Sequence, residues 1–136
     1  MYIQAPFPCA STDRCDDGAT DVELDPVTEL EVREVISSLG LTVVGWYHSH
    51  PRFRPDPSVT DIFNQQQYQR LMRDDCSNVE PFVGLIVSTF DTNLPSSASS
   101  HQWFHVKQYC EGHGRSKKSV HIPMLLCVNV RSIKPR

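Results

Sequence analysis

Two histidines, a serine and an aspartate share the segment HSHPRFRPDPSVTD, residues 48–61, and their types and spacing could serve chemistry. Side chains alternate across an extended strand, so His48 and His50 should point to the same face. Ser58 is followed three positions later by Asp61, the spacing of a capping box, which places Asp61 in the first turn of a helix. Three prolines restrict the loop between strand and helix. We therefore expect both imidazoles and the carboxylate to reach one point.

Two imidazole nitrogens and one carboxylate oxygen form a typical ligand set for zinc. Three protein ligands with a fourth position open to water are typical of catalytic zinc, whereas structural sites have four protein ligands. Zinc would lower the pKa of such a water to around 7. The parts also have ordinary interpretations, because paired histidines occur on many strands and Ser58 with Asp61 has the form of a common helix cap. The combination favours a catalytic zinc site formed by His48, His50 and Asp61.

A strand and a helix must position these residues on either side of the loop. Residues 41–50, LTVVGWYHSH, are β-branched and aromatic and predict a strand buried on both faces, with Trp46 and Tyr47 in the core. Ser58 begins a helix that we expect to run to about Arg73. The site would lie where this strand ends and this helix begins.

A further helix is predicted before this strand. Asp25 has the type of an N-cap, Pro26 suits the first helical position, and Gly40 supplies a stop. Apolar residues recur along this helix at the spacing of one buried face: Val32, Val35, Ile36 and Leu39. The polar residues 8–21 that precede it predict a loop.

Three more strands are predicted downstream, at 81–90, 103–109 and 120–130, with a polar loop at 92–102. Strands and helices alternate without a clean parallel pattern, so the expected fold class is α+β, in a mixed three-layer arrangement. A chain of 136 residues has room for one ordinary core, and we interpret residues 1–136 as a single domain.

The composition argues against several classes of function. A content of 39% hydrophobic and 21% charged residues is typical of soluble globular proteins, and a net charge of -3 gives no basic footprint for nucleic acid. The sequence has neither a long apolar run nor a secretory signal, so we expect no membrane association and no export. Five cysteines without a CxxC pair argue against a disulfide framework. They suit a reducing compartment, and we expect a nuclear or cytoplasmic protein.

The segment HSHPRFRPDPSVTD resembles the metal-binding signature of the JAMM, or MPN-plus, metalloproteases. That signature is His-x-His-Pro, six further residues, and then Ser-x-x-Asp. It is matched here at every position: His48, His50, Pro51, Ser58 and Asp61. The stretches VVGWYHSHP, VELDPVTE and PSVTDIFNQQQYQ are also similar to this family. The last two are most similar to its histone-directed members and to members named only for the MPN domain. The resemblance covers residues 3 to 90 and leaves 91–136 as a C-terminal part outside it.

This resemblance implies an MPN/JAB1 fold of the cytidine-deaminase-like type and hydrolysis of the isopeptide bond between a lysine amine and the ubiquitin C-terminus. His48, His50 and Asp61 would be ligands of one zinc ion, and Ser58 would donate a hydrogen bond to the oxyanion of the tetrahedral intermediate. The implied partners are ubiquitin or a ubiquitinated protein, with a histone as one candidate and a protein complex as another. A nuclear location is favoured.

Members of this family carry the general acid/base as a glutamate in a Glu-Val-x-Gly-like segment on an early strand. This sequence has no such segment, and its first glutamate is Glu23. Residues 2–9 resemble the segment after that strand in family members, so we expect the chain to begin after the first helix and strand of the fold, as a fragment, a truncated isoform or a mis-assigned start. Loss of a positioned proton-transfer group costs ~10²- to 10⁴-fold in rate. Glu23 is disfavoured as a substitute because it adjoins a helix start, where a carboxylate has a dipole role.

Other residues of chemical interest have structural interpretations. Cysteine and histidine types suitable for a second zinc site occur at loose intervals: Cys110, His113, His121 and Cys127. Burial in an apolar strand explains the last two equally well. His101 and His105 flank Trp103 and are expected at a strand edge, on a surface or an interface. Cys76 follows two aspartates that would oppose thiolate formation, so we propose no nucleophilic cysteine.

Asp56 and the loop at 92–102 could flank the arginines of a bound ubiquitin tail, although such segments are more often simply solvated. Three functions therefore stay open. The first is a zinc-dependent deubiquitinase domain. The second is a non-catalytic MPN scaffold that binds partners or ubiquitin, and the third is a fragment that does not fold alone.

Overall fold

Two helices and four strands make up the regular structure that the computed structural model describes, over residues 1–12, 24–50, 54–88, 98–112 and 118–129. Their order along the chain is α1 (Pro26–Ser38), β1 (Gly45–His50), α2 (Val59–Leu71), β2 (Val83–Ser88), β3 (Ser100–Glu111) and β4 (Lys118–Leu126). This is the expected α+β class. The chain divides into two compact units, Met1–Gly45 and Trp46–Arg136. The single-domain interpretation of residues 1–136 stays a prediction.

The first unit contains α1, whose two ends follow the predicted signals. Asp25 is the N-cap, and its Oδ1 accepts hydrogen bonds from the backbone N–H and the hydroxyl of Thr28, both at 2.8 Å. At the other end Gly40 has φ +69°, and its N–H donates to the Ser37 carbonyl while the Leu41 N–H donates to the Ile36 carbonyl. These paired bonds form a Schellman motif, which satisfies carbonyls that the helix leaves free. Local chemistry alone therefore fixes where α1 begins and ends.

The prediction that Val32, Val35, Ile36 and Leu39 form a buried face of α1 is mostly wrong. Ile36 is buried, whereas the side chains of Val35 and Leu39 are 52% and 60% exposed. The helical spacing of these residues is correct, but periodicity identifies only a face and does not supply a surface to cover it. The helix is instead supported locally by its caps and by an ion pair between Glu29 and Arg33 at 2.7 Å.

The second unit is built on a mixed four-stranded sheet with the order β1-β2-β3-β4. Strands β2 and β3 pair antiparallel with Gly84 opposite Phe104, and β3 and β4 pair antiparallel with Val106 opposite Pro123. Pro123 has no N–H to donate, which β4 tolerates because it is the last strand of the sheet. Between β1 and β2 the chain passes through α2, a crossover of the kind that parallel neighbours need.

The core of this unit lies between α2 and the sheet. Ile86, Phe104 and Val106 form a buried cluster, and Trp46 of β1 and Ile62 of α2 pack against it. Phe104 and Ile86 are both fully buried. Because α2 packs over β2, β3 and β4, its N-terminus and its buried face are held in fixed positions relative to the sheet.

Several predicted boundaries and burial patterns need correction. The first strand begins at Gly45 rather than at residue 41, and only one of its faces is covered. Trp46 and His48 point to the covered face, whereas Tyr47 is 41% exposed and is not a core residue. As the first strand of the sheet order, β1 carries polar Ser49 on its open face. Exposure therefore alternates along it, as on a half-covered strand.

The later strands are also shifted from their predicted limits. β3 begins at Ser100, so the last residues of the predicted loop at 92–102 belong to a strand, while 91–97 lie outside the described residues. β3 has neighbours on both sides, so His101 and His105 do not lie on an edge strand. β4 ends at Leu126, and Cys127 lies beyond it and is exposed, so burial does not explain this cysteine. In the described part of the chain, none of the helices is long and apolar enough to span a membrane.

Candidate metal centre

The candidate site lies where β1 ends and α2 begins. His48 and His50 occupy alternate positions of β1, and Ser58 is the N-cap of α2. The Asp61 N–H donates to Ser58 Oγ at 3.1 Å, and the Ser58 N–H donates to Asp61 Oδ2 at 2.8 Å. This is the predicted capping box with both of its hydrogen bonds present. It holds the Asp61 side chain against the helix end that faces β1.

The two histidines and Asp61 converge. His48 Nε2 lies 3.0 Å from His50 Nε2 and 3.0 Å from Asp61 Oδ1, and His50 Nε2 lies 3.4 Å from Asp61 Oδ2. Within the described residues, this is the one group of three or more histidine, cysteine or acidic side chains whose ligand atoms come together. The site is also sheltered, since the side chains of His48 and Asp61 are 6% and 9% exposed.

The environment of Asp61 favours its carboxylate form. Burial raises the pKa of this group, but hydrogen bonds from His48 and from the side chain and backbone of Ser58 outweigh that effect. The net result lowers the pKa of Asp61 from its ordinary value of 3.8 to about 2. Asp61 therefore keeps a negative charge beside two imidazoles at neutral pH, which is the charge state that a metal ligand requires.

The ring of His50 is oriented for coordination through Nε2. Its Nδ1 lies 3.0 Å from the backbone carbonyl oxygen of Arg54. Only a protonated Nδ1 can donate to that oxygen, which leaves the lone pair of a neutral ring on Nε2, the nitrogen that faces Asp61. Hydrogen bonding of the second ring nitrogen to a carbonyl is the usual arrangement around histidine ligands of metals.

The geometry of these three side chains fits a zinc ion. Two ligand atoms at ~2.0–2.1 Å from a tetrahedral zinc lie about 3.3 Å apart. His48 Nε2 lies 3.0 Å from both His50 Nε2 and Asp61 Oδ1, close to that separation, whereas the 3.4 Å contact of His50 Nε2 is made to the other carboxylate oxygen, Oδ2. Two nitrogens and one carboxylate oxygen are also a ligand set found at catalytic zinc. Among the described residues no fourth histidine, cysteine or acidic side chain joins this group, so these three would leave a fourth position to a non-protein ligand.

Ser58 is placed beside the cluster, and its hydroxyl interacts with Asp61 both as an acceptor and as a donor. The Ser58 Oγ acts as the acceptor for the Asp61 N–H. A hydroxyl can accept and donate at the same time, and the hydrogen bond from the Ser58 side chain is one of the interactions that lower the pKa of Asp61.

A buried amide network behind the site was not anticipated from the sequence. Gln65 and Gln69 of α2 are 0% and 1% exposed. Gln65 Oε1 accepts from the indole Nε1 of Trp46 at 2.7 Å, and its Nε2 donates to Gln69 Oε1 at 3.0 Å. The signal was present in NQQQYQ, where two glutamines lie four residues apart on the helix face that carries Asp61 and Ile62, but amides are rarely expected inside a core.

The other sequence candidates do not join the site. Among the described residues, Cys110, His121 and Cys127 form no ligand cluster, and His113 lies outside those residues. His101 is exposed, and His105 Nε2 lies 2.8 Å from the Glu80 carbonyl oxygen. The free cysteines of the described part are Cys9, Cys76, Cys110 and Cys127.

Three further predictions concern the surroundings of the site. Glu23, considered as a substitute general base, lies outside the described residues, and so does most of the loop at 92–102. Asp56 is exposed and forms an ion pair with Arg54 at 3.2 Å between Oδ2 and Nε. Because both side chains are well exposed, this pair adds little to stability.

A comparison with known families and proteins agrees with the motif. Residues 19–74 match the family described as JAB1/Mov34/MPN/PAD-1 ubiquitin protease. Deubiquitinase MYSM1 of Homo sapiens is 41% identical over 73 residues, which are 54% of this chain and 8% of that protein. The MYSM1 histone deubiquitinase of Branchiostoma floridae is 40% identical over 92 residues, 66% of this chain and 11% of that protein.

A second group of relatives has a name that states only the domain. MPN domain-containing protein of Mus musculus is 34% identical over 99 residues, 73% of this chain and 19% of that protein. The matched part of this chain thus spans a fifth or less of the length of these three relatives. The motif, the fold class and these matches lead to one conclusion: the chain carries a domain of the JAB1/Mov34/MPN/PAD-1 family, matched over residues 19–74.

Proposed function

We propose that this domain is a zinc-dependent isopeptidase that removes ubiquitin from a protein substrate. The observation that carries the proposal is the convergence of His48 Nε2, His50 Nε2 and the Asp61 carboxylate at the end of β1 and the start of α2. Family membership supports the same reaction class, because the matched family is described as a ubiquitin protease. The ligands of zinc in this proposal are His48, His50 and Asp61.

Zinc, when bound, supplies a Lewis acid and lowers the pKa of a coordinated water to about 7. The Asp61 carboxylate balances part of the metal charge, and its low pKa keeps it ionised over the working range. The Arg54 carbonyl holds the ring of His50 in the tautomer whose Nε2 lone pair is free. Ser58 donates a hydrogen bond from its hydroxyl to the substrate oxygen that gains negative charge, and the same hydroxyl oxygen still accepts the Asp61 N–H.

The proton transfer to the leaving amine needs a further group. Within the described residues, the cluster contains the three ligands and no glutamate. We propose that the general acid/base glutamate of the family is absent from this chain, and that the chain therefore turns over slowly. A positioned proton-transfer group is worth ~10²- to 10⁴-fold in rate.

The substrate and location are proposed from the relatives by similarity. Two relatives are named as MYSM1 deubiquitinases, and one of these names specifies a histone. We propose a ubiquitinated histone as the substrate class and the nucleus as the location. The remaining length of those relatives is not covered by this chain, so their other properties are not assigned to it.

Zinc content and ubiquitin cleavage, measured on the same preparations, test the proposal. We expect one zinc per chain and slow cleavage of a ubiquitin-lysine isopeptide that increases when formate or acetate is added, because a small carboxylate can replace a missing proton-transfer group. His48→Ala should abolish both zinc binding and cleavage. The matched control is His101→Ala, which removes an exposed histidine away from the cluster. A folded, zinc-supplemented chain without bound metal would overturn the site assignment.

A second candidate function is a non-catalytic scaffold that binds ubiquitin or a protein partner. The observation that favours it is the same lack of a glutamate in the cluster of the described residues. Stoichiometric zinc with no cleavage, even with added formate, would support the scaffold. Cleavage that is lost in His48→Ala would support the enzyme.

A further inference from the structure

The two histidines of the candidate site are held in different ways. His50 Nδ1 has the Arg54 carbonyl oxygen as its partner at 3.0 Å. His48 Nδ1 is buried and has no hydrogen-bond partner among the described residues. A metal-binding histidine normally uses this second nitrogen to fix the orientation of its ring. His48 Nε2 contacts Asp61, but once that nitrogen is a metal ligand, a contact other than a hydrogen bond at Nδ1 must orient the ring.

The ring of His48 is stacked on the indole of Trp46. The ring centroids are 4.8 Å apart and the planes differ by 16°. The two residues are separated by two positions on β1, so their side chains share a face of the strand. An indole fixed in this position restricts rotation of the imidazole about its own side-chain axis, because a turned ring would clash with the indole face.

The indole is itself fixed by a chain of hydrogen bonds whose direction is unambiguous. Indole Nε1–H can only donate, so the Gln65 atom that it meets at 2.7 Å must be the amide oxygen. The amide nitrogen of Gln65 then donates to Gln69 Oε1 at 3.0 Å and to the Phe82 carbonyl oxygen at 2.8 Å. At the far end, the Val106 backbone N–H donates to Gln69 Oε1 at 2.7 Å.

Both ends of this series of hydrogen bonds are therefore anchored in groups whose donor and acceptor roles are fixed. At one end is the indole of Trp46, and at the other is the backbone of β3. Gln65 and Gln69 are fully buried, so water does not compete with their hydrogen bonds. The network thus connects the centre of the sheet rigidly to the aromatic ring that lies against His48.

We propose that Trp46, held by Gln65 and Gln69, is a positioning residue that sets the ring orientation of His48 for metal binding. This proposal rests on the proposed function in assigning His48 as a zinc ligand. The network replaces the missing hydrogen bond at His48 Nδ1 by a stacked surface. Loss of an orienting partner around a metal site costs ~10- to 100-fold in metal affinity.

Zinc affinity in a series of Trp46 and Gln65 variants tests the proposal, measured by competition with a chromophoric chelator. Trp46→Leu removes the stacked ring, and we expect zinc affinity to fall about 10- to 100-fold. Trp46→Phe keeps an aromatic surface without the N–H, so its loss should be smaller. Gln65→Leu leaves the indole without its partner and should also weaken zinc binding. Gln67→Leu is the matched control, since Gln67 lies on the exposed face of the same helix.

A second measurement follows the ring of His48 directly, without metal. In metal-free protein, the imidazole NMR signals of His48 should shift or broaden in Trp46→Leu and Gln65→Leu as the ring becomes mobile. His105 provides an internal reference, because its Nε2 is hydrogen-bonded to the Glu80 carbonyl. If the parent chain binds no zinc, the proposed function fails, and this measurement still decides whether the network positions His48.

Loss of general stability must be separated from loss of positioning. Val83→Ala removes buried apolar volume from β2, and the residue has no side-chain hydrogen bond to lose. Zinc affinity should be unchanged in Val83→Ala at a comparable loss of stability. Zinc affinity that falls equally in Val83→Ala and Trp46→Leu would overturn the proposal. Unchanged NMR signals of His48 in a folded Gln65→Leu variant would also overturn it. If Trp46→Leu does not fold, Trp46→Phe and Gln65→Leu decide the question.

Discussion

At the scale of single residues, Asp61 combines a structural and a chemical role. One carboxylate oxygen accepts the Ser58 N–H that closes the capping box, and both oxygens face a histidine nitrogen. A charged group at a helix N-terminus is stabilised by the helix dipole, and the capping hydrogen bond adds to this effect. The same interactions that start α2 therefore also hold the carboxylate ionised and facing both histidines.

The lowered pKa of Asp61 predicts how stability depends on pH in the metal-free protein. The pKa in the folded state is about 2, below the ordinary value of 3.8, so this group stabilises the fold above pH 4. That stabilisation should be lost as the pH falls from about 4 to about 2. We expect it to be on the order of 1–2 kcal/mol after allowance for solvent screening.

Denaturant unfolding of the parent chain and of Asp61→Asn, in the presence of a chelator, measures this effect. The difference in free energy of unfolding should shrink as the pH falls from about 4 to about 2. A difference that stays constant down to pH 2 would mean that Asp61 has no special charge state in the fold.

At the scale of elements, the Gln69 side chain makes hydrogen bonds to β3 that a residue of a neighbouring strand would otherwise make. Continuing the register in which Gly84 lies opposite Phe104 would bring position 82 opposite Val106, but β2 begins only at Val83. The side-chain amide of Gln69 instead accepts from the Val106 N–H at 2.7 Å and donates to the Val106 carbonyl at 2.9 Å. A side chain of α2 thus completes the pairing of β3 where its neighbour ends.

Gln69→Leu should leave the N–H and the carbonyl of Val106 buried and unpaired. Each unsatisfied buried group costs about 1–3 kcal/mol, so we expect a loss of several kcal/mol or local opening of β3 at this position. Amide hydrogen exchange should accelerate at Val106 and much less at Phe104. The matched control is Gln67→Leu, an exposed position whose substitution should change stability by less than about 0.5 kcal/mol. Equal exchange rates at Val106 in the two variants would contradict this role.

Gly84 in β2 leaves space for the ring of Phe104, which packs directly against its backbone. A Cβ at this position would lie 2.6 Å from Phe104 Cζ and 3.0 Å from Gln65 Oε1. Phe104 is fully buried, so its ring cannot swing away. The glycine is therefore required by packing and not by its backbone conformation.

Gly84→Ala should destabilise the chain by about 1–3 kcal/mol through overpacking. It should also alter tryptophan fluorescence, because the displaced Gln65 amide is the acceptor for the indole of Trp46. Gly40→Ala is the informative control: nothing lies within 4 Å of an added Cβ there, but φ is +69°. It should cost about 1 kcal/mol through backbone strain and leave the fluorescence unchanged. Unfolding curves and emission spectra that do not distinguish the two variants would contradict the packing argument.

At the scale of the whole molecule, the candidate site belongs to the unit Trp46–Arg136, where β1 and α2 are both held against the core. The three proposed ligands come from two elements joined by one loop. A metal ion that bound them would therefore connect the first strand of the sheet to the helix that packs over the other three. Metal binding and the stability of this unit should be coupled.

Zinc should raise the free energy of unfolding of the parent chain by about 2.7 kcal/mol at a free zinc concentration of 100 times its dissociation constant. Protection against amide exchange should increase in β1 and in the first turn of α2. His50→Ala should remove both effects. Because this variant keeps all the cysteines, any zinc binding to the unfolded chain stays the same in the comparison. Unfolding midpoints measured with zinc and with chelator provide the test, and a parent chain insensitive to zinc would count against the coupling.

The sequence by itself determined the features that depend on near neighbours. The caps at Asp25 and Ser58 and the stop at Gly40 are local hydrogen-bonding and backbone effects, so residue types three or four positions apart suffice to predict them. The approach of His48 and His50 to Asp61 could also be anticipated, because a strand end, a short restricted loop and a first helical turn leave few other arrangements. Strand existence was predictable, whereas strand limits were not.

Only the tertiary structure decided the features that join distant parts of the chain. Trp46 meets Gln65 across 19 positions, and Gln69 meets Val106 across 37. No local preference encodes such contacts, since they depend on which elements pack together and on the strand register. The same reason explains the misjudged burial of Tyr47, because a half-covered edge strand and a fully covered one have similar compositions. The sequence thus specified the candidate ligand set, and packing specified how the ring of His48 is held.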